Sequence, residues 1–291
     1  MRRHTATIFS SLLLTLTAAA PAIADSTIER IQARAQINVG YRENAAPFSY
    51  LDAQGTPAGY ALEFCNPVVE HLQSNLQDRN IGVRYVPVPL DHAVAMVADG
   101  SIDLLCSATS DTPARRDRIA FSKPIFVASV QVLVREDSGI QSLDDLKGKT
   151  LVAISRTTGE TAVADWTDQY QWTLRTALDP DAALSHLQLD WAAGYARDGV
   201  LLAMQRLHSS RPERYRMLPQ PLSSENIAIA FQKDDPGIAT ITNTAIEDAV
   251  SSGAAKTLYQ KYFLTALEDG KPALDIPMSD ALKAAFARKN P

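Results

Sequence analysis

The sequence predicts an α/β protein of two lobes joined by two crossings, each lobe a mostly parallel sheet flanked by helices. Strand candidates alternate with helical patterns from Ile37 to Arg118, and again from Leu143 to Leu207. Between these blocks Phe121 to Val134 is a long β-prone run interrupted by Pro124, which reads as a passage from one lobe into the other. Pro219 and Pro221 bracket a return, after which Asn226 to Phe231 reads as a strand back in the first lobe. These limits put residues 25–123 and 224–291 in lobe 1 and 124–223 in lobe 2.

In order, Ile37 to Tyr41 is a strand, followed by a loop with Pro47-Phe48. Gly59-Tyr60 leads into a helix over Ala61 to Gln73, then comes a strand over Val83 to Val88. A short helix, Leu90 to Ala98, ends at Asp99-Gly100, and Ile102 to Leu105 is the third strand. In the second lobe, Leu143 to Leu146 is helical and Thr150 to Ile154 a strand ending in the polar turn Ser155 to Gly159. A helix over Glu160 to Tyr170, a strand near Trp172 to Ala177 and a helix over Asp181 to Leu189 follow. The strand Ala192 to Ala196 runs into Arg197-Asp198, and a helix over Val200 to Leu207 closes this lobe. Helices over Ile238 to Ser251, Ala254 to Phe263 and Met278 to Phe286 complete the chain. Open α/β sheets bind ligands at strand C-terminal ends, so the two lobes imply a cleft there.

The N-terminus is Met1-Arg2-Arg3-His4, an apolar run from Ile8 to Ala20, and Ala22-Ile23-Ala24. A basic start, a short apolar core and an A-x-A end describe a secretory signal peptide cleaved after Ala24, which implies export to the periplasm. The run is too short to stay in a bilayer, and no later segment is long and apolar enough to span one. With 28 Lys+Arg against 33 Asp+Glu the formal net charge is −5, and two of the arginines belong to the leader. An acidic chain without a basic block excludes nucleic acid and anionic membrane as partners. The two cysteines, Cys65 and Cys106, survive cleavage, so in an oxidising compartment they read as one disulfide, with two buried thiols as the alternative. Neither is placed for catalysis, the histidines lack ligand spacing, and no metal or cofactor motif is present.

The most informative stretch is Cys106 to Phe126. After the third strand come small hydroxyl residues, Ser107-Ala108-Thr109-Ser110, and Pro113 suits the first turn of a helix. Arg115 would lie just inside that helix, beside free amides and hydroxyls, an arrangement that favours a carboxylate.

Several segments together resemble the periplasmic binding proteins for polar amino acids, solute-binding family 3, type II. They are Val39-Gly40-Tyr41-Arg42 with Pro47 to Tyr50, Gly59-Tyr60, Gly100 to Leu104, and Thr109 to Arg115. Phe121 to Pro124, Asp144 to Lys149 and Phe231 to Pro236 continue the match in the same order. The likeness is closest to the glutamate/aspartate-binding subgroup. The resemblance implies that Arg115 takes a ligand α-carboxylate, Asp198 the α-ammonium, and Thr157 and Thr158 close on the carboxylate from the second lobe. It places Ser107, Ala108 and Ser110 on the first-lobe loop, gives Arg42 to a side-chain carboxylate, and leaves Tyr50 divided between cleft wall and core. The chain departs from the subgroup at Leu90 and Ala93, where a serine and a second arginine are usual, and near Pro180, where a histidine falls.

The implied function is capture of a polar or acidic L-amino acid by a monomer, without cofactor or catalysis, and delivery to an ABC importer in the inner membrane. The alternatives are a cleft enzyme resembling prephenate or arogenate dehydratases, with Glu160 or Glu225 as the acid, or a module that presents ligand to a sensor. The competing structural role for Asp198 is to cap the helix from Val200; for Thr157 and Thr158, to cap theirs.

Overall fold

A computed structural model describes residues 26–76, 80–266 and 270–288. The leader assigned to residues 1–24 lies outside them. The chain begins with α1 (Thr27–Arg34), β1 (Gln36–Tyr41) and a small sheet of β2 (Asn44–Ala45), β3 (Ser49–Leu51) and β4 (Pro57–Ala58). Next come α2 (Tyr60–Asn75), β5 (Gly82–Pro87), α3 (Ala93–Ala98), β6 (Leu104–Leu105), α4 (Pro113–Arg116) and β7 (Ile119–Ala128). The second half holds β8 (Val130–Arg135), β9 (Thr150–Ile154), α5 (Thr158–Asp165), α6 (Thr167–Tyr170) and β10 (Thr173–Ala177). It continues with α7 (Pro180–Gln188), β11 (Gly194–Asp198), α8 (Gly199–His208) and β12 (Tyr215–Met217). The chain returns through β13 (Glu225–Gln232) to α9 (Pro236–Ser251), α10 (Ala254–Tyr259) and α11 (Asp280–Ala287).

Two five-stranded sheets share one topology, β5-β1-β6-β13-β7 and β10-β9-β11-β8-β12. Each is mixed in a particular way. The strand that enters from the other lobe, β13 in the first sheet and β8 in the second, is antiparallel to both its neighbours. The other strands of each sheet run together. This is the architecture the sequence predicts: two α/β lobes, mostly parallel sheets and two crossings. The crossings lie side by side, with Leu222 N–H donating to the Val130 carbonyl at 2.8 Å and Glu225 in register with Ala128.

The first lobe is held by an aromatic cluster of Phe48, Tyr60, Phe64, Phe126, Tyr259 and Phe263, all buried. Tyr60 satisfies its hydroxyl by donating to the Ile125 carbonyl at 2.7 Å, which ties α2 to the crossing strand β7. Gly59, which precedes α2, has φ +135°, and a Cβ there would meet the Phe48 carbonyl oxygen at 2.3 Å. Only glycine fits. Phe48 therefore belongs to the core.

Some elements differ from the sequence reading. The helix expected to run through Arg118 is a single turn, Pro113–Arg116, with Arg115 in its last residues rather than at a long dipole. The chain enters β7 at Ile119, and the β-prone run behind it ends the turn. The helix expected from Leu90 begins at Ala93. Helix α1 was not foreseen, although Ser26 and Glu29 form a capping box at its start. It anchors the return segment, since Thr27 N–H donates to Asp235 at 2.7 Å.

Cys65 and Cys106 are joined in a disulfide with Cα atoms 6.3 Å apart, closing 41 residues of chain. It ties α2 to the first residue after β6, where the Ser107–Ser110 loop starts. Closing a loop of this length restricts the unfolded chain by about 3–4 kcal/mol. Replacing both cysteines with alanine is expected to lower the melting temperature by roughly 5–15 °C in a calorimetric scan. An unchanged melting point would show that the bridge contributes nothing to stability.

Candidate functional site

The C-terminal ends of β1, β6, β9 and β11 meet between the lobes, as the switch-point rule for α/β sheets requires. There they line a narrow pocket between the lobes. Arg42, Leu90, Ala108, Ser110 and Arg115 line it from the first lobe, and Thr157, Thr158 and Asp198 from the second. Four wall residues were not singled out from the sequence: Ile154, Gly159, Arg197 and Leu201.

Two expected residues lie elsewhere. Ser107 is buried and hydrogen-bonded hydroxyl to hydroxyl with Ser49 at 2.7 Å; Ser49 also accepts from the Arg42 amide at 3.1 Å. Ser107 there locks the loop after β6 to the start of β3. Tyr50 is half-buried against the first-lobe core and does not line the pocket. Ala93 likewise packs inside the first lobe, beside Val88 and Val97, so its position offers the pocket nothing.

The first-lobe loop owes its course to pairing rather than to a long helix. Ser110 bridges to Ile227 of β13, and Asp111 N–H donates to the Asn226 carbonyl at 2.8 Å. Arg115 then folds back, its Nη1 donating to the Ser110 carbonyl at 2.8 Å. Its guanidinium keeps further donors for the pocket. Thr112 caps the turn through its hydroxyl, and Asp111 and Arg116 pair beside it, so Arg116 takes the structural role.

In the second lobe Thr157 caps α5, its hydroxyl accepting from Glu160 N–H at 3.3 Å and donating to the Ile154 carbonyl at 2.6 Å. Glu160 reaches back to accept from the Arg156 amide at 2.6 Å. That carboxylate is engaged in the cap, away from any acid role. The amides of Thr158 and Gly159 precede the first intrahelical bond and are free to donate toward the pocket. A Cβ on Gly159 would meet the Ala196 carbonyl oxygen at 2.9 Å, so glycine lets this helix start lie directly against the end of β11.

Asp198 precedes α8 but makes no side-chain capping bond. The alternative structural role is thereby removed. Its Oδ1 is buried without a hydrogen-bond partner. Burial, reinforced by Glu225 and opposed by Arg197, Arg115 and Arg42, pushes its carboxyl up to about 7. Burial lowers Arg42 to about 10, with the charge of Arg197 next in importance. Arg115 is also lowered by burial, against the pull of Glu225 and Asp198. Glu225 was considered from the sequence only as a rival acid. It accepts from Ser223 at 2.8 Å and leaves its other oxygen buried and unpaired.

At the rim Arg156 of the second lobe faces Asp91 of the first at 3.5 Å. Leu90 packs against the second-lobe core. The lobes therefore touch across the pocket mouth. Among the described residues no His/Cys/Asp/Glu cluster could hold a metal ion, and no helix is long and apolar enough to cross a membrane.

With this geometry in view, the comparisons with known proteins agree with the fold. Residues 37–265 match the bacterial extracellular solute-binding proteins, family 3, and the chain belongs to that family. It is 29% identical over 273 residues to the glutamate/aspartate import solute-binding protein of Salmonella typhimurium, covering 93% of this chain and 90% of that one. It is 27% identical to the L-glutamate/L-aspartate-binding protein of Pseudomonas aeruginosa, covering 96% and 95%. Among solved structures, a mutant of ArgBP from T. maritima superposes with a TM-score of 0.70 at 23% identity, covering 81% of this chain and 98% of that one. An ancestral amino acid-binding protein, a precursor of cyclohexadienyl dehydratase, gives the same score and identity, covering 82% and 99%.

The raised Asp198 carboxyl predicts a stability profile for the ligand-free protein. Its folded value, about 7, lies above the unfolded carboxylate value of about 3.9. The native state therefore holds an extra proton between these values, and this stabilisation is complete below pH ~4 and lost as pH rises through ~7. Asp198→Asn is expected to remove that slope and to melt higher than the parent at pH 7.5, by up to about 4 kcal/mol. A variant no more stable than the parent across that range would show that the empty site does not strain Asp198.

Proposed function

We propose that this protein captures a polar or acidic L-amino acid between its lobes in the periplasm and hands it to an ABC importer. The observation that carries the reading is the pairing of Arg115 with an uncapped, buried Asp198 across one pocket. A guanidinium with spare donors suits an α-carboxylate, and the free amides of Thr158 and Gly159 suit the same group from the second lobe. An unpartnered buried carboxylate suits an α-ammonium, which would cancel the charge that burial penalises. The names of the glutamate/aspartate relatives support the same ligand class.

Binding proceeds in two stages on this reading. The ligand docks on the first lobe through Arg115 and the Ala108–Ser110 loop; the second lobe then closes, bringing Thr157, Thr158 and Asp198 onto it. We take the lobes as residues 25–123 with 224–291 and residues 124–223, hinging at the paired crossings. Contacts made only when both lobes touch the ligand drive closure, and the importer would read the closed shape. The protein acts as a monomer, without cofactor and without turnover.

The rival enzyme reading draws on the fold neighbour that preceded a dehydratase and on the free oxygen of Glu225. Glu225 lies in the field of Arg115 and Asp198, in keeping with balancing the arginine. Absence of product from prephenate or arogenate supports binding; turnover would overturn it.

A thermal-shift and calorimetric screen of ligand-stripped protein against the common L-amino acids, succinate and malate tests the central claim. At about 100 times its Kd a ligand adds ~2.7 kcal/mol, raising the melting point by roughly 5–10 °C. Arg115→Ala should abolish that shift. Binding requires ionised Asp198, so affinity should hold above pH 7 and fall by up to about tenfold per unit below it. Equal shifts with dicarboxylates that lack an amine would sink the Asp198 assignment.

A further inference from the structure

We propose that Arg197, on the second lobe, is a specificity-determining residue that joins Arg42 in gripping an acidic group on the ligand side chain. This rests on the α-amino-acid reading above and narrows it to ligands with a second acid. Both arginines line the pocket and both are buried, at 7% and 6% exposure. Arg42 follows β1 of the first lobe, and its Nη2 donates to Asn44 at 3.0 Å. Arg197 lies in β11 of the second, and its Nη1 donates to Gln205 at 3.2 Å. Gln205 in turn donates to the Pro180 carbonyl at 2.7 Å, so the guanidinium is braced from behind. The fully buried Tyr195 places its hydroxyl beside Arg197 and in the field of both arginines.

Charge counting around the pocket gives the ligand its class. Three guanidinium groups, on Arg42, Arg115 and Arg197, face two carboxylates, on Asp198 and Glu225; the one further carboxylate acting on Tyr195, that of Asp181, is exposed to solvent and screened there. A buried excess of one positive charge is unfavourable unless a bound group cancels it. A neutral amino acid leaves the excess in place and a basic one enlarges it. An amino acid with an acidic side chain brings two negative groups and one positive, and removes it. Arg42 and Arg197 repel each other across the cleft, so the side-chain acid also relieves a force that opposes closure. Arg197 thus supplies, from the opposite lobe, a second guanidinium for the side-chain acid.

The test is calorimetric titration of the ligand-stripped mature protein with L-glutamate, L-aspartate and their amides, for the parent, Arg197→Gln and Arg197→Lys. The parent should favour acid over amide. Arg197→Gln should weaken acid binding by about 10- to 150-fold, the worth of one charged hydrogen bond, with amide binding changed less than about threefold. Arg197→Lys should recover part of the loss. If Arg197→Gln does not fold, Tyr195→Phe reads the same subsite without a charge change and should weaken acids selectively. Equal losses for acid and amide would make Arg197 structural and overturn the proposal, as would an unaltered acid affinity. A parent that binds amides as tightly as acids overturns it while leaving the α-amino-acid reading intact. A parent that binds no L-amino acid overturns both.

Discussion

Everything in the cleft depends on one unsatisfied charge, the carboxylate of Asp198. Asp198 immediately precedes α8 but does not cap it, and it stands among arginines without a hydrogen bond to Oδ1. A buried carboxylate in this condition strains the empty protein, and burial pushes its carboxyl up to about 7. The strain is the source of affinity, because an ammonium docked there removes it. A site optimised for the stability of the empty chain would have turned this side chain into the α8 cap.

The repeated topology explains how such a cluster can be assembled from distant segments. Each sheet places its third strand, β6 or β11, beside the strand that arrives from the other lobe. The loop after β6 is pinned to β13 by the Ser110–Ile227 bridge, and the end of β11 is held against β8. Arg115 and Asp198 are thus fixed to opposite sides of the same pair of crossings. The disulfide from Cys65 to Cys106 holds the start of the arginine loop to α2, and the Ser49–Ser107 bond fixes its near edge to the Arg42 turn. Rotation at the crossings moves the two charge sets toward each other while each stays rigid on its own sheet.

Much of this was legible in the sequence, for identifiable reasons. Strand–helix alternation and the proline-marked crossings gave both lobes, because hydrophobic periodicity is a local property. The order of short motifs gave Arg42, Leu90, Ala108, Ser110, Arg115, Thr157, Thr158 and Asp198, all of which line the pocket. What failed to appear were properties set by tertiary contact. Arg197 neighbours Asp198 on a strand, where alternation sends adjacent side chains to opposite faces; the strand end lets both reach the cleft. Ser107 reads in the sequence as a ligand hydroxyl, but in the fold Ser49 occupies it. The helix around Arg115 was overextended because the sequence beyond Arg116 carries no stop signal, and only pairing of β7 with β13 ends it. Helix α1 had a readable cue in Ser26 and Glu29, which lies just beyond the leader.

The most direct test of the account is a crystal structure of the mature protein with a bound amino acid. The α-carboxylate is expected on the Arg115 guanidinium and the Thr158 and Gly159 amides, with the α-ammonium against Asp198 Oδ1. A ligand seated with its ammonium elsewhere and Asp198 still unpaired, or turned to cap α8, would contradict it.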